Sequence, residues 1–426
     1  LAAGRYDDRV TSTFERDDRT TSVPPPDALE ALLRVGVLTL QAGNTAFRTR
    51  KWIDAIAPKL GFEAVSVIVS LDSITVSARC GSERLTAMRE LGPPGINVTR
   101  IAQLERLART MRPEAPPAEI AAAVAKIESA APRYSLQQIA VAVGLASGGF
   151  AFLSGAATPE TFAAALGGGS GQWLRLWLTR RRLNQFGAAA LSAIMASGLF
   201  VLVAGAGSHL GFSFVHYPAG FIASILFLVP GFPLIAGLFD LLQYQTVAAV
   251  SRLAYGVMML LAVAFGLSIV IAVGGVEVSR QPSIELAYTL KLFFRAVASF
   301  VSGCAFAMLF NNSPRTAFAA GLLALGANDL RLILTDMGMM LAPAAFFAAL
   351  LIGLVALVMD QRFNVPPLAM TVAPIVIMMP GIYAFEMIVL FNRGQMLDAL
   401  QASASCFFVI GALAMGLVTA RFFSPR

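Results

Sequence analysis

The residues of this chain that could do chemistry sit in apolar company. In "LFLVPGFPLIAGLFD", residues 226–240, Pro230, Gly231 and Pro233 interrupt a run that would otherwise be a membrane helix. Proline lacks an N–H and clashes with the preceding turn, and glycine adds backbone freedom. At membrane depth such a break is tolerated where protein buries it or where it lines a cavity. The half-helix that resumes presents N–H groups and a partial positive charge, suited to a carboxylate. The same dipeptide recurs 150 residues on as Pro380-Gly381 in "APIVIMMPGIYAFEMIVLF", with Ala223 matching Ala373 and Ile225 matching Ile375. Interrupted segments at matching positions of two halves point to a transporter's central site. For either break alone, a plain proline kink packed by its neighbours is the competing explanation.

Polar side chains inside the apolar runs are the second clue, because a charge at mid-bilayer costs about 2.5–3.5 kcal/mol on insertion scales. Asp240 follows the first break by ten residues and Glu386 follows the second by six. Asn328, Asp329 and Arg331 share "ALGANDLRLIL", and Lys291 and Arg295 lie in the preceding apolar segment. A proton-coupled carrier needs a group that is charged in one state of access and neutral in another. Arginine cannot serve, whereas a carboxylate in a poorly hydrated span can. Glu386 fits that role best by position; Asp329 is its rival and Asp240 a third. Asn328 joins Pro230, Gly231, Pro233, Pro380 and Gly381 as a candidate substrate contact. Blander readings stand beside these. Asp329 and Arg331 could form a structural pair that keeps Asp329 ionised. Asp240 could be a solvated cap at the cytoplasmic end of its helix. Glu386 could cap or snorkel at the outer interface, and Lys291 and Arg295 could snorkel outward or attract anions.

The elements that must position these residues follow from charge distribution. The chain is 57% hydrophobic and only 13% charged. Residues 1–133 nonetheless hold 18 of its 32 Lys+Arg and 16 of its 25 Asp+Glu, so a boundary falls near Arg133 between a water-soluble part and a membrane part. Beyond it, charge-free runs repeat at the length of roughly 20 residues that a spanning helix needs. They predict ten helices near 136–155, 160–178, 186–207, 219–239, 248–273, 286–309, 315–335, 341–360, 366–390 and 397–420. The second is the weakest, short and glycine-rich in "TFAAALGGGSGQWL". With the amino terminus in the cytoplasm, Arg180, Arg181, Arg182, Arg252, Arg315, Arg362, Arg421 and Arg426 fall inside. Only Arg280 and Arg393 fall outside, as the positive-inside rule asks. Pro-Gly then occupies the fourth of each five helices, and an odd number per half inverts one half against the other.

Before the membrane part, residues 1–26 are polar, end in "PPP" and predict a disordered tail. A helix follows in "DALEALLRVGVLTLQAG", with Asp27 as N-cap and Gly43 as stop, and a second in "NTAFRTRKWIDAIAPKLG". "FEAVSVIVS" and "SITVSARC" alternate as strands do. "INVTRIAQLERLARTM" returns to helix, and the alanine-rich "APPAEIAAAVAKIESAAPRYS" leads into the membrane. The domains expected are thus a tail at 1–26, a cytoplasmic α/β domain with its connecting helix at 27–133, and five-helix halves at 134–280 and 281–426.

Other functions find little support. The charged first residues contain no apolar core of a signal peptide. Cys80, Cys304 and Cys406 lack metal spacing or a disulfide framework, and two histidines argue further against zinc or haem, so no cofactor is expected. No nucleophile–histidine set or Gly-x4-Gly-Lys-Ser/Thr phosphate loop appears. The net charge of +7 suits cytoplasmic loops at a lipid bilayer better than nucleic acid.

The pattern resembles the threonine/serine exporter family (ThrE) in its fused two-half form. "LLRVGVLTLQAGNTAFRTRKWIDAIAPKLGFEAVSVIVSLDSITVS" resembles the family's amino-terminal part, with its G-x-[ST] helix start at Gly43-Asn44-Thr45. "ASILFLVPGFPLIAGLFDLL", ending in Asp240, resembles its proline-glycine helix, and "VPPLAMTVAPIVIMMPGIYAF" the counterpart in the second half. The likeness runs from about Asp27 to Ala420. Gln243 and Gln245 stand where the family often carries a second acidic residue. The resemblance implies proton-driven export of small hydroxylated amino acids across a bacterial inner membrane, with both termini cytoplasmic and oligomeric state open. Some separate-chain relatives are linked to dicarboxylates, the main alternative substrate class; a channel is a more distant one.

Overall fold

The computed structural model describes residues 26–70, 72–92, 95–112, 116–212, 217–274 and 287–423. The expected tail, the boundary at 280, Arg280 and Arg426 lie outside the described residues. So does part of the connection expected around His209–Pro218.

The amino-terminal segment is α/β. Helix α1 (Pro26–Gln41) holds Asp27 in its first turn rather than as its N-cap, because the helix begins at Pro26, where proline's missing N–H is harmless. The helix ends at Gln41, and Gly43 in the turn after it has a φ of +96°, which suits glycine. Helix α2 (Ala46–Ile56) starts at Thr45, whose hydroxyl accepts from the Arg48 N–H at 3.3 Å. Strands β1 (Ala64–Val69), β2 (Ser73–Cys80) and β3 (Glu83–Glu90) form an antiparallel sheet in that order, with Val67 opposite Val76 and Val76 opposite Ala87. Alternate β2 residues Ile74, Val76 and Ala78 are fully buried. Gly36 lets α1 lie close on them: a Cβ there would come within 2.7 Å of Ile74. The strand β3, absent from the sequence expectation, is charged and largely exposed, so it carries no hydrophobic alternation to find. Helices α3 (Val98–Thr110) and α4 (Pro117–Ser129) complete the segment, and α4 packs on α1 and α3 rather than merely linking to the membrane part.

Among the described residues, twelve further α-helices follow: α5 (Leu136–Leu153), α6 (Thr158–Arg180), α7 (Gln185–His209), α8 (Tyr217–Ala223), α9 (Gly231–Leu242), α10 (Thr246–Gly274), α11 (Tyr288–Leu309), α12 (Pro314–Asp336), α13 (Leu341–Phe363), α14 (Pro367–Met378), α15 (Gly381–Asn392) and α16 (Met396–Arg421). Among the described residues, eight helical stretches are long and apolar enough to cross a membrane, or nine counting the bent pair that spans the first Pro-Gly. Helix α6 is not among them, yet it is continuous over 23 residues. Its glycines are a packing face, not a break. A Cβ at Gly171 would lie 2.7 Å from the Ala196 Cβ, and one at Gly169 3.1 Å from the Ala140 carbonyl oxygen. Small residues of this kind let membrane helices approach backbone to backbone.

The chain repeats its turn geometry. Helices α6 and α7 begin 156 residues before α12 and α13, and α8, α9 and α10 begin 150 residues before α14, α15 and α16. The turns match bond for bond. Ser154 donates its N–H to Phe150 O and Phe310 to Phe306 O; Leu183 donates to Leu178 O and Met339 to Leu334 O; Gln245 donates to Asp240 O and Gln395 to Leu390 O. The left-handed residues match as well: Gly155 with Asn311, Arg182 with Gly338, and Tyr244 with Gly394.

The amino-terminal segment seats on one end of the bundle. Val98 donates its N–H to Phe310 O at 3.0 Å, the Tyr134 hydroxyl donates to Asn312 O at 2.9 Å, and Arg109 meets Asp360 at 3.3 Å.

Candidate functional site

Both breaks adopt one local conformation. Pro230 has φ −77° and ψ 52°, and Pro380 has φ −78° and ψ 49°. The N–H of Gly231 donates to Val229 O, and that of Gly381 to Met379 O, both at 2.8 Å. Each is an inverse γ-turn that halts one helix and aims the next. The first turns the chain by 59°, while α14 and α15 remain one apolar span.

The breaks face one another. A Cβ on Gly231 would meet the Met379 side chain at 3.1 Å, and one on Gly381 would run into Leu226 and meet Val229 at 3.3 Å. The space between is small, about 10 Å³, walled by Phe150, Leu226, Val229, Val376 and Met379.

The first break has a second aspect, toward the amino-terminal segment. Val229, Pro230, Gly231, Phe232 and Pro233 line a cavity of about 300 Å³ with Gly43 and Gly95 above, and with Gln172, Arg175, Thr179, Gln185, Arg252 and Tyr255 beside them. Gly43 has no room for a side chain: a Cβ would sit 2.7 Å from the Gly95 carbonyl oxygen and 3.1 Å from Phe232. Phe232 also borders a neighbouring cavity of about 580 Å³, with Arg48, Lys51, Glu105, Arg109, Asp360 and Arg421 on its walls. Burial pushes the Arg48 guanidinium below its ordinary pKa, against the pull of Glu105 and Asp360. Both volumes are of the size that holds small ligands.

Asp240 is not the solvated cap expected from its place in the sequence. It is 0% exposed. Its carboxylate lies 3.2 Å from Arg252 Nε and accepts from the Phe47 N–H at 3.4 Å, while Arg252 donates to the Asn44 carbonyl oxygen at 2.7 Å. Sequence distance alone could not show that the N-terminus of α2 would come to rest on this carboxylate.

Polar residues of the second half gather between α11 and α12. Asn328 donates its amide to Ser299 Oγ at 2.9 Å, and Arg331 donates twice to Asn328 Oδ1, at 3.1 and 2.9 Å. Asp329, 8% exposed, accepts from Ser299 at 3.5 Å. The expected Asp329–Arg331 pair does not form. Residues two apart point to different sides of a helix, whereas three apart share one, so Arg331 turns to Asn328. Arg295 pairs with Asp336 at the end of α12. Glu386, half-buried on α15, lies on the same helix as Tyr383, which neighbours Arg331.

Two residues that the sequence expectation passed over belong to this description, Gln172 and Arg175. Their signal was present: "QWLRLWLT" at 172–179 recurs as "NDLRLILT" at 328–335, identical at five of eight positions.

The long apolar helices, two of them broken at Pro-Gly, mark a polytopic membrane protein. The family described as "Putative threonine/serine exporter" matches residues 30–274, and "Threonine/Serine exporter, ThrE" matches residues 295–423. The chain belongs to the threonine/serine exporter family, with both family segments fused in one polypeptide. It is 22% identical over 436 aligned residues to a threonine/serine exporter of Corynebacterium glutamicum, covering 96% of this chain and 88% of that protein. It is 26% identical over 138 residues to an uncharacterized protein of Haemophilus influenzae, covering 30% of this chain and 46% of that one. No solved structure matches.

Proposed function

We propose that this protein is a secondary active exporter of small amino acids of the threonine/serine kind, driven by the proton gradient across a bacterial inner membrane. The observation that carries the reading is the pair of breaks with one backbone conformation, facing one another, of which the first also lines the cavity beneath the amino-terminal segment. In this reading ten helices cross in two inverted halves, both termini are cytoplasmic, and substrate enters from the side of the amino-terminal segment. The closed apolar contact between Gly231, Met379, Leu226 and Gly381 is then the barrier that moves as access alternates.

A dicarboxylate exporter is the second reading, favoured by one observation. Arg175 lines the 300 Å³ cavity, and its described lining includes no carboxylate.

For coupling, burial reverses the order that position alone suggests. Asp329 is 8% exposed and free of Arg331, while Glu386 is only half-buried. A buried carboxylate without a bonded cation is the better group to take and give a proton. In proteoliposomes, wild type should exchange labelled L-threonine and drive it uphill when a pH gradient is imposed. Asp329→Asn should abolish the uphill phase and keep exchange measurable; Glu386→Gln should reduce it less. Full gradient-driven export by both variants would remove proton coupling through these carboxylates. Exchange of succinate but not threonine would select the dicarboxylate reading.

A further inference from the structure

We propose that Arg175 with Gln172, and Arg331 with Asn328, are two repeat-related carboxylate-binding stations, one serving each face of the membrane. This deepens the exporter reading and rests on it for the assignment of faces.

Four observations converge. First, the pairs occupy equivalent places: both lie 156 residues apart, the same offset that relates α6 to α12, in "QWLRLWLT" and "NDLRLILT". Second, the local bonding repeats. The Thr179 hydroxyl donates to the Arg175 carbonyl oxygen and the Thr335 hydroxyl to that of Arg331, each at 2.8 Å. Third, the neighbouring charges do not repeat. Asp329 stands opposite Trp173, and Asp336 opposite Arg180. What both halves retain is an amide and an arginine one helical turn apart, on one helix face. Arg331 lies inside a candidate span, where a charge is costly enough to call for a use.

The fourth observation is that the copies differ in state. In the second half the station is closed on itself, with Arg331 donating twice to Asn328 Oδ1. In the first half Gln172 is 2% exposed, yet its Oε1 has no hydrogen-bond partner, and it lines the open cavity together with Arg175 and Tyr255. Arg252 in the same cavity is already committed to Asp240 and the Asn44 carbonyl. Arg175 is therefore the cation placed to receive an anion there, and Gln172 Oε1 is an acceptor placed for an adjacent N–H or O–H.

The chemistry follows. A guanidinium offers paired N–H donors that match the two oxygens of a carboxylate. An amide oxygen beside it can accept from the ammonium or hydroxyl of an amino acid; turned over, its NH₂ can donate to a second carboxylate. Opening a station breaks the arginine–amide bonds, and a substrate carboxylate replaces them. One station open and the other folded on its own amide is an arrangement that suits alternation between faces.

The test uses the purified full chain and three probes: L-threonine, its carboxyl-free analogue L-threoninamide, and succinate. Phenylglyoxal modification of Arg175, read by peptide mass spectrometry, should be slowed by L-threonine or by succinate and not by threoninamide. In oriented proteoliposomes, Arg175→Gln should raise the half-saturating concentration at the amino-terminal segment's face about tenfold or more, the loss expected for charge-assisted hydrogen bonds. It should leave the opposite face within about twofold of wild type, and Arg331→Gln should do the reverse. Arg175→Lys should recover part of the loss. Gln172→Glu, which keeps the arginine but sets a carboxylate beside it, should weaken binding as a built-in competitor and serves if Arg175→Gln does not fold. Protection by neither carboxylate, or equal effects of both arginine variants at both faces, overturns the proposal. Protection of Arg175 in a wild-type protein that transports neither substrate would sink the exporter reading while the carboxylate site stands. The two acids, compared as protectants, separate an amino acid from a dicarboxylate.

Discussion

At Asp240 a carboxylate is fully buried beside Arg252, and it stays there because the N-terminus of α2 completes its surroundings. The partial positive charge of a helix start favours an anion, and Arg252 reaches past Asp240 to the Asn44 carbonyl oxygen, so one ion pair ties the amino-terminal segment to the first broken helix. In a buried pair, losing one member costs more than losing both, because the survivor keeps its desolvation penalty without its partner. Arg252→Leu should therefore destabilise the purified protein by about 3–5 kcal/mol, read as a lowered thermal midpoint. Arg252→Leu combined with Asp240→Leu should recover a clear part of that loss. A double variant no more stable than the single would mean that the contact with α2, not the ion pair, dominates. None of this was legible at Asp240 itself. Its distance from Pro230 can be counted along the chain; the approach of Phe47 from a segment almost two hundred residues earlier cannot.

At the scale of elements, the two breaks share a backbone shape but differ in what packs on their glycines. Gly231 faces the flexible end of Met379, which can move aside, whereas Gly381 faces Leu226, itself buried and held in a tight turn beside Val229. Gly381→Ala should thus impair transport and stability more than Gly231→Ala, the first costing about 1–3 kcal/mol of overpacking and the second about 1 or less. Thermal midpoints and exchange rates of the two variants check the order, and equal effects would place the strain elsewhere. Helix positions were readable from charge-free runs because membrane spans carry their signal in composition. The repeat was only partly readable. A single offset of 150 finds Pro-Gly but misses "LRLILT", because the offset is 156 before the connection that ends at α8 and 150 after it. The station residues Gln172 and Arg175 were lost with it. Glycines that looked like weakness in α6 are the surface on which α5 and α7 close.

For the whole molecule, the repeat and the amino-terminal segment make opposing demands. The repeat relates the two sets of helices as equals, yet the segment covers one end of the bundle only, touching Asp240 and Arg252, Phe310 to Asn312, and Asp360. In the proposed reading, an odd number of crossings per half would resolve the conflict. Equivalent turns then fall on opposite faces, so a cover over one face meets non-equivalent loops of the two halves. The turn after α6 and its counterpart after α12 share their hydrogen bonds and a left-handed residue, Arg182 in one and Gly338 in the other. The first adjoins three arginines and the second none, the asymmetry that the positive-inside rule would ask of turns on opposite sides in the proposed reading. With Cys80, Cys304 and Cys406 replaced, a cysteine at Met337 or at Gly207 should react with an impermeant maleimide on intact cells. A cysteine at Arg181 should react only after the membrane is opened. If Arg181 and Met337 were labelled alike from outside, the halves would be parallel rather than inverted. The two arginine stations would then share one face, and alternation between them could not carry a substrate across.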